Sequence, residues 1–375
     1  MVNKVLQLCL SDGKGGMELY VDRTIEGLKE NGWEVIGICL NKSKVEGYMQ
    51  RNNIAYTAFK SNIFALFNVL SIRRWLIKEN VNIIHCHKSS DLRLTTLLAL
   101  LMPGLEIFYT DHVGGKRPKK SLYHRLAYGK VSRVISISQA TYQRNVINFP
   151  VPRQQVICLP HGVDINKYQP CNNENIIRAK REALGIPEGA TLIGLPGRVT
   201  PGKGHDIWVK ALIELDPKLN FYALSIGGTD YSSGGVESFY KSLQALIADT
   251  PLANKIAFLG HHSDLADILP ILDIVCIPSK NEAFGLTIIE SMACGLPIVG
   301  SNTGSLPELV DPDSGVLVGP LDVSGWRDAI DALIRNKAQR HTMGNAARQR
   351  VEQQFSHQQH VKRLIDIYSA SASFY

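Results

Sequence analysis

The chain has 375 residues, enough for two or three domains with their own buried cores, which excludes a small module held together by disulfides. Hydrophobic residues make up 45% and charged residues 20%, as in folded globular proteins rather than disordered ones. The seven cysteines contain no C-x-x-C pair, so the sequence indicates neither a disulfide framework nor a zinc site, and we expect a reducing, cytoplasmic environment. The chain contains no run of 18 apolar residues, so we expect no membrane span.

The net charge of +7 is unevenly distributed along the chain. Residues 1–165 contain 22 lysines and arginines against 12 acidic residues, a net charge of +10, which leaves −3 for the remainder. The first half is therefore expected to meet an anionic partner. Charge alone does not distinguish a nucleic acid, a membrane surface and a phosphorylated substrate.

Short apolar segments alternate with segments of helical periodicity. In the first half we predict strands at residues 2–10, 34–40, 82–86, 106–110 and 134–138, and helices at 18–31, 62–79 and 92–101. A proline-rich stretch at 149–189 predicts an interdomain segment. Strands at 191–195, 221–226, 255–259, 274–278 and 297–301 then alternate with helices at 205–215, 236–248, 264–269 and 285–294, followed by helices at 323–336 and 338–355. This order predicts two doubly wound α/β domains, with ligands at the carboxyl ends of the strands.

The densest motif, residues 278–290, follows a predicted strand and begins a helix. Its glycine, Gly285, allows the backbone to approach a ligand closely, and the amides of the first helical turn suit a phosphate. The carboxylate of Glu290 could accept hydrogen bonds from a vicinal diol, and Glu282 could hold further hydroxyls. A surface loop with a solvated glutamate is the structural alternative.

A second glycine-rich turn follows the strand at 191–195. Arg198 and Lys203 bracket this turn, so both cations could reach a diphosphate at the start of the next helix. Two exposed cations on a loop are the alternative. Both motifs stand at strand ends of the same predicted sheet, which favours a shared ligand.

Together these residues resemble the retaining GT-B glycosyltransferases of family 4. The resemblance is carried by Glu282 and Glu290 within P-S-x-x-E-x-F-G and by Arg198 and Lys203 within G-R-x-x-x-x-K-G, and further by residues 15–18, 110–112, 160–164 and 304–310. It covers almost the whole chain in order. It implies two Rossmann-like domains facing a central cleft: residues 1–168 with a C-terminal helix at 357–375, and residues 169–356.

The resemblance also implies roles for individual residues. Arg198 and Lys203 would neutralise the diphosphate of a UDP- or GDP-sugar, Glu290 would bind the ribose, and Glu282 would hold the transferred sugar. The resemblance places other donor contacts at the amides of Phe284, Gly285 and Leu286, at Ser279, and at the loop of Gly15 and Gly16. His112 would lie at the reacting centre, so the catalytic candidates are His112, Glu282, Arg198 and Lys203.

No metal and no cofactor are expected, because cations and helix amides can stabilise the leaving diphosphate. Asp311-Pro312-Asp313 has the letters of a metal-binding D-x-D element, but a proline-bearing turn is the favoured interpretation. His85 and His87 have no third ligand nearby in the sequence, which argues against a metal site there.

Two segments bear on the acceptor. The basic residues Lys116, Arg117, Lys119 and Lys120 shortly follow His112 and could border the site where an anionic glycan or glycolipid docks, although most charge runs are merely solvated. Residues 63–75 could form an amphipathic helix suited to an anionic membrane surface, although any helix of the first domain needs an apolar face. We expect a cytoplasmic protein at the inner face of the membrane, in bacterial lipopolysaccharide or envelope polysaccharide assembly.

Other functional classes fit less well. A dehydrogenase is disfavoured because the loop at residues 13–18 lacks the third glycine and the second strand ends without a ribose-binding acid. No basic and aromatic motif for nucleic-acid recognition is present in the sequence. A nucleotide-sugar epimerase, or a non-catalytic sugar-binding relative, remains an alternative on the same scaffold.

Overall fold

The computed structural model describes residues 3–13, 15–262 and 264–372. The chain forms two compact units, Met1–Gly162 with His357–Tyr375 as unit 1, and Val163–Ser356 as unit 2. The first boundary therefore lies after residue 162 rather than after 168. The reason is that the segment after Gly162 is held by unit 2: Val163 forms a β-bridge with Ser356, and the Arg348 guanidinium donates to the carbonyls of Ile165 and Tyr168.

Unit 1 contains a seven-stranded parallel sheet in the order β3-β2-β1-β4-β5-β6-β7. The strands are β1 (Lys4–Cys9), β2 (Glu34–Leu40), β3 (Ala55–Phe59), β4 (Ile83–Cys86), β5 (Glu106–Asp111), β6 (Arg133–Ser136) and β7 (Val156–Cys158). Apolar side chains occupy both faces of β1 and β2, and each face contributes to a separate core cluster. Helices must cover both faces of such a sheet.

The helices of unit 1 supply that cover. They are α1 (Gly16–Glu30), α2 (Lys44–Arg51), α3 (Asn62–Phe67), α4 (Val69–Lys78), α5 (Leu92–Leu101), α6 (Leu122–Tyr128), α7 (Gln139–Asn148) and the C-terminal helix α15 (His357–Ala372). Leu364 and Tyr368 of α15 are fully buried in the same core cluster as Val5 and Ile25. The C-terminal helix is thus a structural part of unit 1.

Unit 2 contains a six-stranded parallel sheet in the order β10-β9-β8-β11-β12-β13. The strands are β8 (Thr191–Pro196), β9 (Phe221–Ile226), β10 (Ile256–Phe258), β11 (Ile274–Ile277), β12 (Ile298–Ser301) and β13 (Gly315–Val318). The helices are α8 (Glu174–Ala183), α9 (His205–Ile213), α10 (Glu237–Ile247), α11 (Leu286–Ala293), α12 (Leu306–Leu309), α13 (Val323–Arg335) and α14 (Lys337–Gln354). Trp208 and Trp326 are fully buried in its core.

Both strand orders confirm the doubly wound α/β prediction. In each sheet the direction of winding reverses at one pair of neighbouring strands, β1 and β4 in unit 1, and β8 and β11 in unit 2. Ligands of open α/β sheets bind beyond the carboxyl ends of such a pair. These two positions are therefore where each unit offers a site.

Two predicted helices differ from the structure. The predicted helix at 62–79 is two helices, α3 and α4, which divide at Asn68, where the amide side chain donates to the carbonyl of Phe64 at 2.8 Å. The predicted helix at 264–269 is instead a pair of short 3-10 turns, Leu265–Asp267 and Leu269–Ile271. Pro270 lies in the second turn and lacks the N–H that a continuous helix needs.

Candidate active site

The loops after β8 and β11 lie side by side at the reversal point of unit 2. The amide of Lys280 donates to the carbonyl of Gly202 at 3.0 Å. Gly204 has φ +73°, and a Cβ there would lie 2.0 Å from the carbonyl oxygen of Pro278. Only glycine permits this approach. The structure thus brings together the two motifs that the sequence singled out.

An ion pair joins the two loops. Lys203 Nζ lies 2.8 Å from Glu282 Oε2, and the side chains are 28% and 19% exposed. Both groups are predicted ligand contacts, and in this state each neutralises the other. A ligand that binds Lys203 through an anionic oxygen must therefore compete with Glu282.

Arg198 follows β8 and is exposed. Its side chain lies against the loop after β9, since a Cβ on Gly234 would be 2.8 Å from Arg198 Cδ. The loop is tied to the strand end by hydrogen bonds from the Val199 amide to Gly228 and from the Val236 amide to Val199. Arg198 therefore stands on a braced turn with its charge available to solvent or ligand.

Helix α11 begins at the end of the loop that follows β11. Gly285 is its N-cap residue, with φ +92°, and has no side chain that could cap the helix. The amides of a first helical turn have no acceptor within the helix and carry the positive end of its dipole. Phe284, Gly285 and Leu286 therefore lie at a helix end that suits an anion.

Gly304 and Ser305, after β12, hold this turn in place. The Ser305 amide donates to the Glu282 carbonyl at 3.1 Å, and its hydroxyl donates to the Phe284 carbonyl at 2.6 Å. Gly304 has φ +62°, and a Cβ there would lie 2.5 Å from the Glu282 carbonyl oxygen. In the sequence these residues contribute only to the family resemblance, whereas in the structure they support the backbone that carries Glu282.

Two further predicted contacts of unit 2 are buried. Glu290, on α11, is 3% exposed, and Ser279, directly after β11, is 2% exposed. Both side chains are therefore shielded from bulk solvent in this state.

In unit 1 the predicted glycine loop already forms a hydrogen bond with a side chain of the protein itself. The Gly15 amide and the Ser11 hydroxyl donate to the two oxygens of the Glu18 carboxylate at 2.8 and 2.7 Å. Glu18 is 3% exposed and lies in the first turn of α1, where a carboxylate is stabilised by the helix dipole. The Gly15 amide is therefore occupied by the protein's own carboxylate, with Gly16 as the first helical residue. No sequence pattern pointed to this role of Glu18.

His112 follows β5 and belongs to a cluster of imidazoles around Tyr20. Its ring stacks on His161 at 5.4 Å between centroids, and lies 5.8 Å from His87 and 5.1 Å from Tyr20. Burial, and to a lesser extent the charge of nearby His360, lowers the pKa of His112 to about 3. Its Nε2 is enclosed and has no hydrogen-bond partner among the described residues. His112 is therefore a neutral imidazole that can donate or accept a hydrogen bond.

The cluster also engages His85 and His87. His85 Nε2 lies 2.7 Å from Thr110 Oγ1, its Nδ1 lies 2.6 Å from the Tyr368 hydroxyl, and His87 Nε2 lies 2.8 Å from Gln7 Oε1. Within the described ranges no group of three or more histidine, cysteine or acidic side chains is arranged to hold a metal ion. These histidines are buried polar residues of unit 1, and the hydrogen bond between His85 and Tyr368 joins them to the C-terminal helix.

A buried carboxyl lies at the reversal point of unit 1. Asp91 is fully buried and accepts hydrogen bonds from the amides of Lys88, after β4, and Leu10, after β1. Burial raises the pKa of Asp91 to about 7, although those hydrogen bonds and the charge of Lys88 oppose the rise. The side chain ties the two loops together, and no sequence pattern singled it out.

Asp311, the first residue of the D-x-D sequence, lies in a turn, as expected. Its side chain accepts hydrogen bonds from Ser314, and its Oδ2 lies 2.7 Å from Arg350 Nη1. This carboxylate is therefore paired with an arginine.

The four basic residues after His112 differ in environment. Lys116, Arg117 and Lys120 are exposed. Lys119 is half-buried, its amide donates to the carbonyl of Asn148 at 2.8 Å, and its side chain lines a cavity.

The apolar side chains of α3 and α4 fall into two sets. Ala65, Ile72 and Leu76 are buried in the core of unit 1, as the structural alternative requires. Phe64 and Phe67 are 53% and 84% exposed, and Ile63 and Leu70 are exposed as well. None of the helices in the described part of the chain is long and apolar enough to cross a membrane.

The division into units sharpens the charge asymmetry. Unit 1 contains 24 lysines and arginines against 12 acidic residues, whereas unit 2 contains 17 against 22. Unit 1 is therefore strongly basic, and unit 2 is weakly acidic despite Arg198 and Lys203 in the loop after β8.

The chain is similar to known glycosyltransferases along most of its length. The sequence model for glycosyl transferases group 1 matches residues 176–350, and that for glycosyltransferase family 4 matches residues 14–167. A D-inositol 3-phosphate glycosyltransferase of Saccharomonospora viridis is 30% identical over 72% of this chain and 66% of its own length. The lipopolysaccharide core biosynthesis mannosyltransferase LpsB of Rhizobium meliloti is 27% identical over 62% of this chain and 64% of its own.

The chain thus spans slightly less than two thirds of the length of these relatives. Among solved structures, Anabaena HepE in complex with UDP superposes with a TM-score of 0.85 at 22% identity, over 98% of this chain and all of that one. At this identity the likeness establishes the fold. The two sequence models together cover most of the chain, and the chain belongs to the group 1 glycosyltransferases with the GT-B fold.

Proposed function

We propose that the protein transfers a hexose-type sugar from a nucleotide diphosphate sugar to a glycan or glycolipid acceptor. The observation that carries this proposal is the junction of Lys203, Glu282 and the α11 N-terminus at the reversal point of the unit 2 sheet. A cation, a carboxylate and the backbone amides of a helix N-terminus in one place suit a ligand that has both a diphosphate and sugar hydroxyls. The UDP complex of HepE supports a nucleotide diphosphate as the ligand class.

The proposed chemistry follows from these groups. Cleavage of the bond between sugar and phosphate leaves negative charge on the diphosphate, which Lys203, Arg198 and the α11 amides would stabilise. Glu282 would hold the sugar hydroxyls and Glu290 the ribose. We propose that no divalent ion is needed, since these fixed positive groups act directly on the leaving phosphate. From the family resemblance we also propose that the acceptor attacks on the face of the leaving phosphate, so that the anomeric configuration is retained.

His112 would serve as a neutral hydrogen-bonding partner of the substrate. Its pKa, about 3, keeps it uncharged near neutral pH, so it would act by donating or accepting a hydrogen bond and not as a cation. The Gly15 amide is bound by Glu18, so Gly16 is the better candidate of the two glycines for a donor contact.

The acceptor and setting are also proposals. The basic unit 1 suits an anionic acceptor, and the name of LpsB supports lipopolysaccharide or envelope polysaccharide assembly. The exposed Phe64 and Phe67 on α3, with Arg73 and Arg74 on α4, would suit contact with an anionic membrane surface.

Two experiments test the proposal. Thermal unfolding with a panel of UDP- and GDP-sugars should show stabilisation by at least one donor, because a ligand that binds the folded state raises its apparent stability. Product analysis with the same donor, labelled in the sugar, should then show transfer to an acceptor. Interconversion of the donor sugar would indicate the epimerase, and binding without turnover the non-catalytic relative.

A further inference from the structure

A cavity of about 170 Å³ opens at the carboxyl edge of the unit 1 sheet. Ser89 and Ser90, which follow β4, form one side of it, together with Arg93 in the first turn of α5. Lys119, from the loop after β5, and His124, on α6, form another side. Its position is where open α/β sheets bind ligands, and it lies wholly within unit 1.

The wall of the cavity is cationic and rich in hydroxyls. Arg93 and Lys119 supply two positive charges, and none of the nine lining residues, all within the described part of the chain, is acidic. Burial, and to a lesser extent the charge of nearby Lys119, lowers the pKa of the His124 imidazole. Lys119 and His124 therefore lie near each other in the cavity wall.

One residue of the cavity lining, Tyr128, has a buried hydroxyl with no hydrogen-bond partner among the described residues. Tyr128 is 1% exposed. Leaving a buried polar group without a partner costs stability, so such groups in folded proteins call for an explanation. Since Tyr128 belongs to the cavity lining, a polar ligand in the cavity would be such an explanation.

We propose that this cavity binds a phosphate monoester carried by the acceptor. The acceptor role rests on the proposed glycosyl transfer, whereas phosphate binding by the cavity does not. Tetrahedral phosphate oxygens can be shared between a guanidinium, an ammonium group and serine hydroxyls, which is the set found here. The proposal narrows the basic loop to Lys119 and adds Arg93 and His124, which the sequence did not single out.

The phosphate could be free or borne by a lipid, and the cavity chemistry is the same for both. Exposed apolar residues stand beside it on α6, since Leu122 is 83% and Leu126 49% exposed. The experiment therefore needs a soluble arm and a vesicle arm. The soluble probe is glycerol 3-phosphate, and the vesicle probes are phosphatidylcholine with phosphatidic acid, a monoester, and phosphatidylcholine with phosphatidylglycerol, a diester.

Calorimetric titration of the full chain with glycerol 3-phosphate tests the site directly. Arg93→Gln and Lys119→Gln should each weaken binding by about five- to tenfold, the scale of one partly exposed charge-assisted hydrogen bond. Lys130→Gln, a control of equal charge change at an exposed position outside the cavity lining, should bind as the original chain does. Lys119→Arg should retain binding, because the charge is kept.

Other outcomes would overturn the proposal. If Lys203→Ala abolishes the binding of glycerol 3-phosphate and the cavity variants do not affect it, the phosphate binds only at the unit 2 loop. If Lys120→Gln or Lys130→Gln costs as much as Lys119→Gln, the effect is diffuse charge and not a site. Donor binding, followed separately by thermal unfolding, shows whether the proposed function itself has failed.

The vesicle arm distinguishes the two sources of phosphate. Binding to phosphatidic acid that falls in Lys119→Gln and exceeds binding to phosphatidylglycerol supports a lipid-borne monoester. Binding of glycerol 3-phosphate without preference for either vesicle supports a soluble acceptor. Equal, Lys119-independent binding to both vesicles, together with no binding of glycerol 3-phosphate, refutes the site.

Discussion

The ion pair between Lys203 and Glu282 predicts that a single substitution will have opposite effects on two ligands. Lys203 Nζ is 2.8 Å from Glu282 Oε2, so an arriving diphosphate must take the lysine from the carboxylate. Glu282→Gln removes this competitor and should therefore strengthen the binding of a nucleoside diphosphate. The same change should weaken the binding of the nucleotide sugar, because the proposed grip of the carboxylate on the sugar hydroxyls is lost.

The magnitudes follow from the exposure of the pair. At 28% and 19% exposure it is more sheltered than a fully exposed ion pair, and we assign it about 1 kcal/mol, the upper end of the surface range, or about fivefold in affinity. A hydrogen bond to a charged group contributes about 1.5–3 kcal/mol, so loss of the sugar contact should exceed that gain. The affinity ratio of nucleotide sugar to nucleoside diphosphate should therefore fall at least about tenfold in Glu282→Gln.

A double-mutant cycle completes the test. Lys203→Ala should weaken the binding of the nucleoside diphosphate by about ten- to a hundredfold, both through the lost cation and because Glu282 is left unpaired near the phosphates. Adding Glu282→Gln to Lys203→Ala should then recover part of the affinity. Isothermal titration with both ligands measures all four corners of the cycle. Equal weakening of both ligands in Glu282→Gln would refute the competition and the sugar contact together.

Three further outcomes are expected. Gly304→Ala should lower donor affinity by disturbing the Glu282 backbone, whereas Gly260→Ala, which has a similar positive φ but open surroundings, should affect only stability; equal donor affinity in the two variants would contradict this. Burial, opposed by the hydrogen bond to Pro160, holds the pKa of His360 at about 4, below its ordinary 6.5. The unfolded state therefore takes up protons first as the pH falls, and stability is lost from about pH 6.5 down to about 4. Between pH 7 and 5 the free energy of unfolding of the original chain should fall by about 2 kcal/mol more than that of His360→Gln, as measured by denaturant titration at each pH. The same pH dependence in both proteins would argue against a buried neutral imidazole. Phe67→Ser should reduce co-sedimentation with anionic vesicles and Leu321→Ser, in unit 2, should not; unchanged sedimentation of both would remove α3 from the proposed membrane contact.

The sequence predicted the elements best where one periodicity ran without interruption. Residues 34–40, 92–101 and 221–226 begin and end in the structure where the pattern placed them. Short elements were missed, among them β7 with three residues and β13 with four, because so few positions show no periodicity. The division at Asn68 was missed for another reason: its neighbours are apolar on both sides, and the local hydrogen bonds of Asn68 to the preceding turn have no signature in the hydrophobic pattern.

The sequence predicted which loops meet at the site, but not which side chains are in contact there. Parallel strands bring their carboxyl ends to one edge, so two glycine-rich loops after two strands of one sheet can be placed together from sequence. The pairing of Lys203 with Glu282, separated by 79 residues, could not be predicted, because it depends on side-chain rotamers at the contact. The imidazole cluster was even less predictable from the sequence. His85, His112 and His360 come from three distant segments, and nothing in their local spacing relates them to Tyr20.

The sign of the net charge of unit 2 does not match the anionic ligand that is proposed for it. The diphosphate is assigned to unit 2, which carries more acidic than basic residues, while unit 1 carries twice as many basic as acidic residues. At physiological ionic strength exposed charges are screened beyond about 8 Å, so affinity for a phosphate depends on the few groups that touch it. The proposed diphosphate contacts of Lys203, Arg198 and the α11 amides therefore do not depend on the sign of the net charge of unit 2. The surplus of unit 1 is then left for another anion, which is consistent with a basic cavity wall of Arg93 and Lys119 at the carboxyl edge of its sheet.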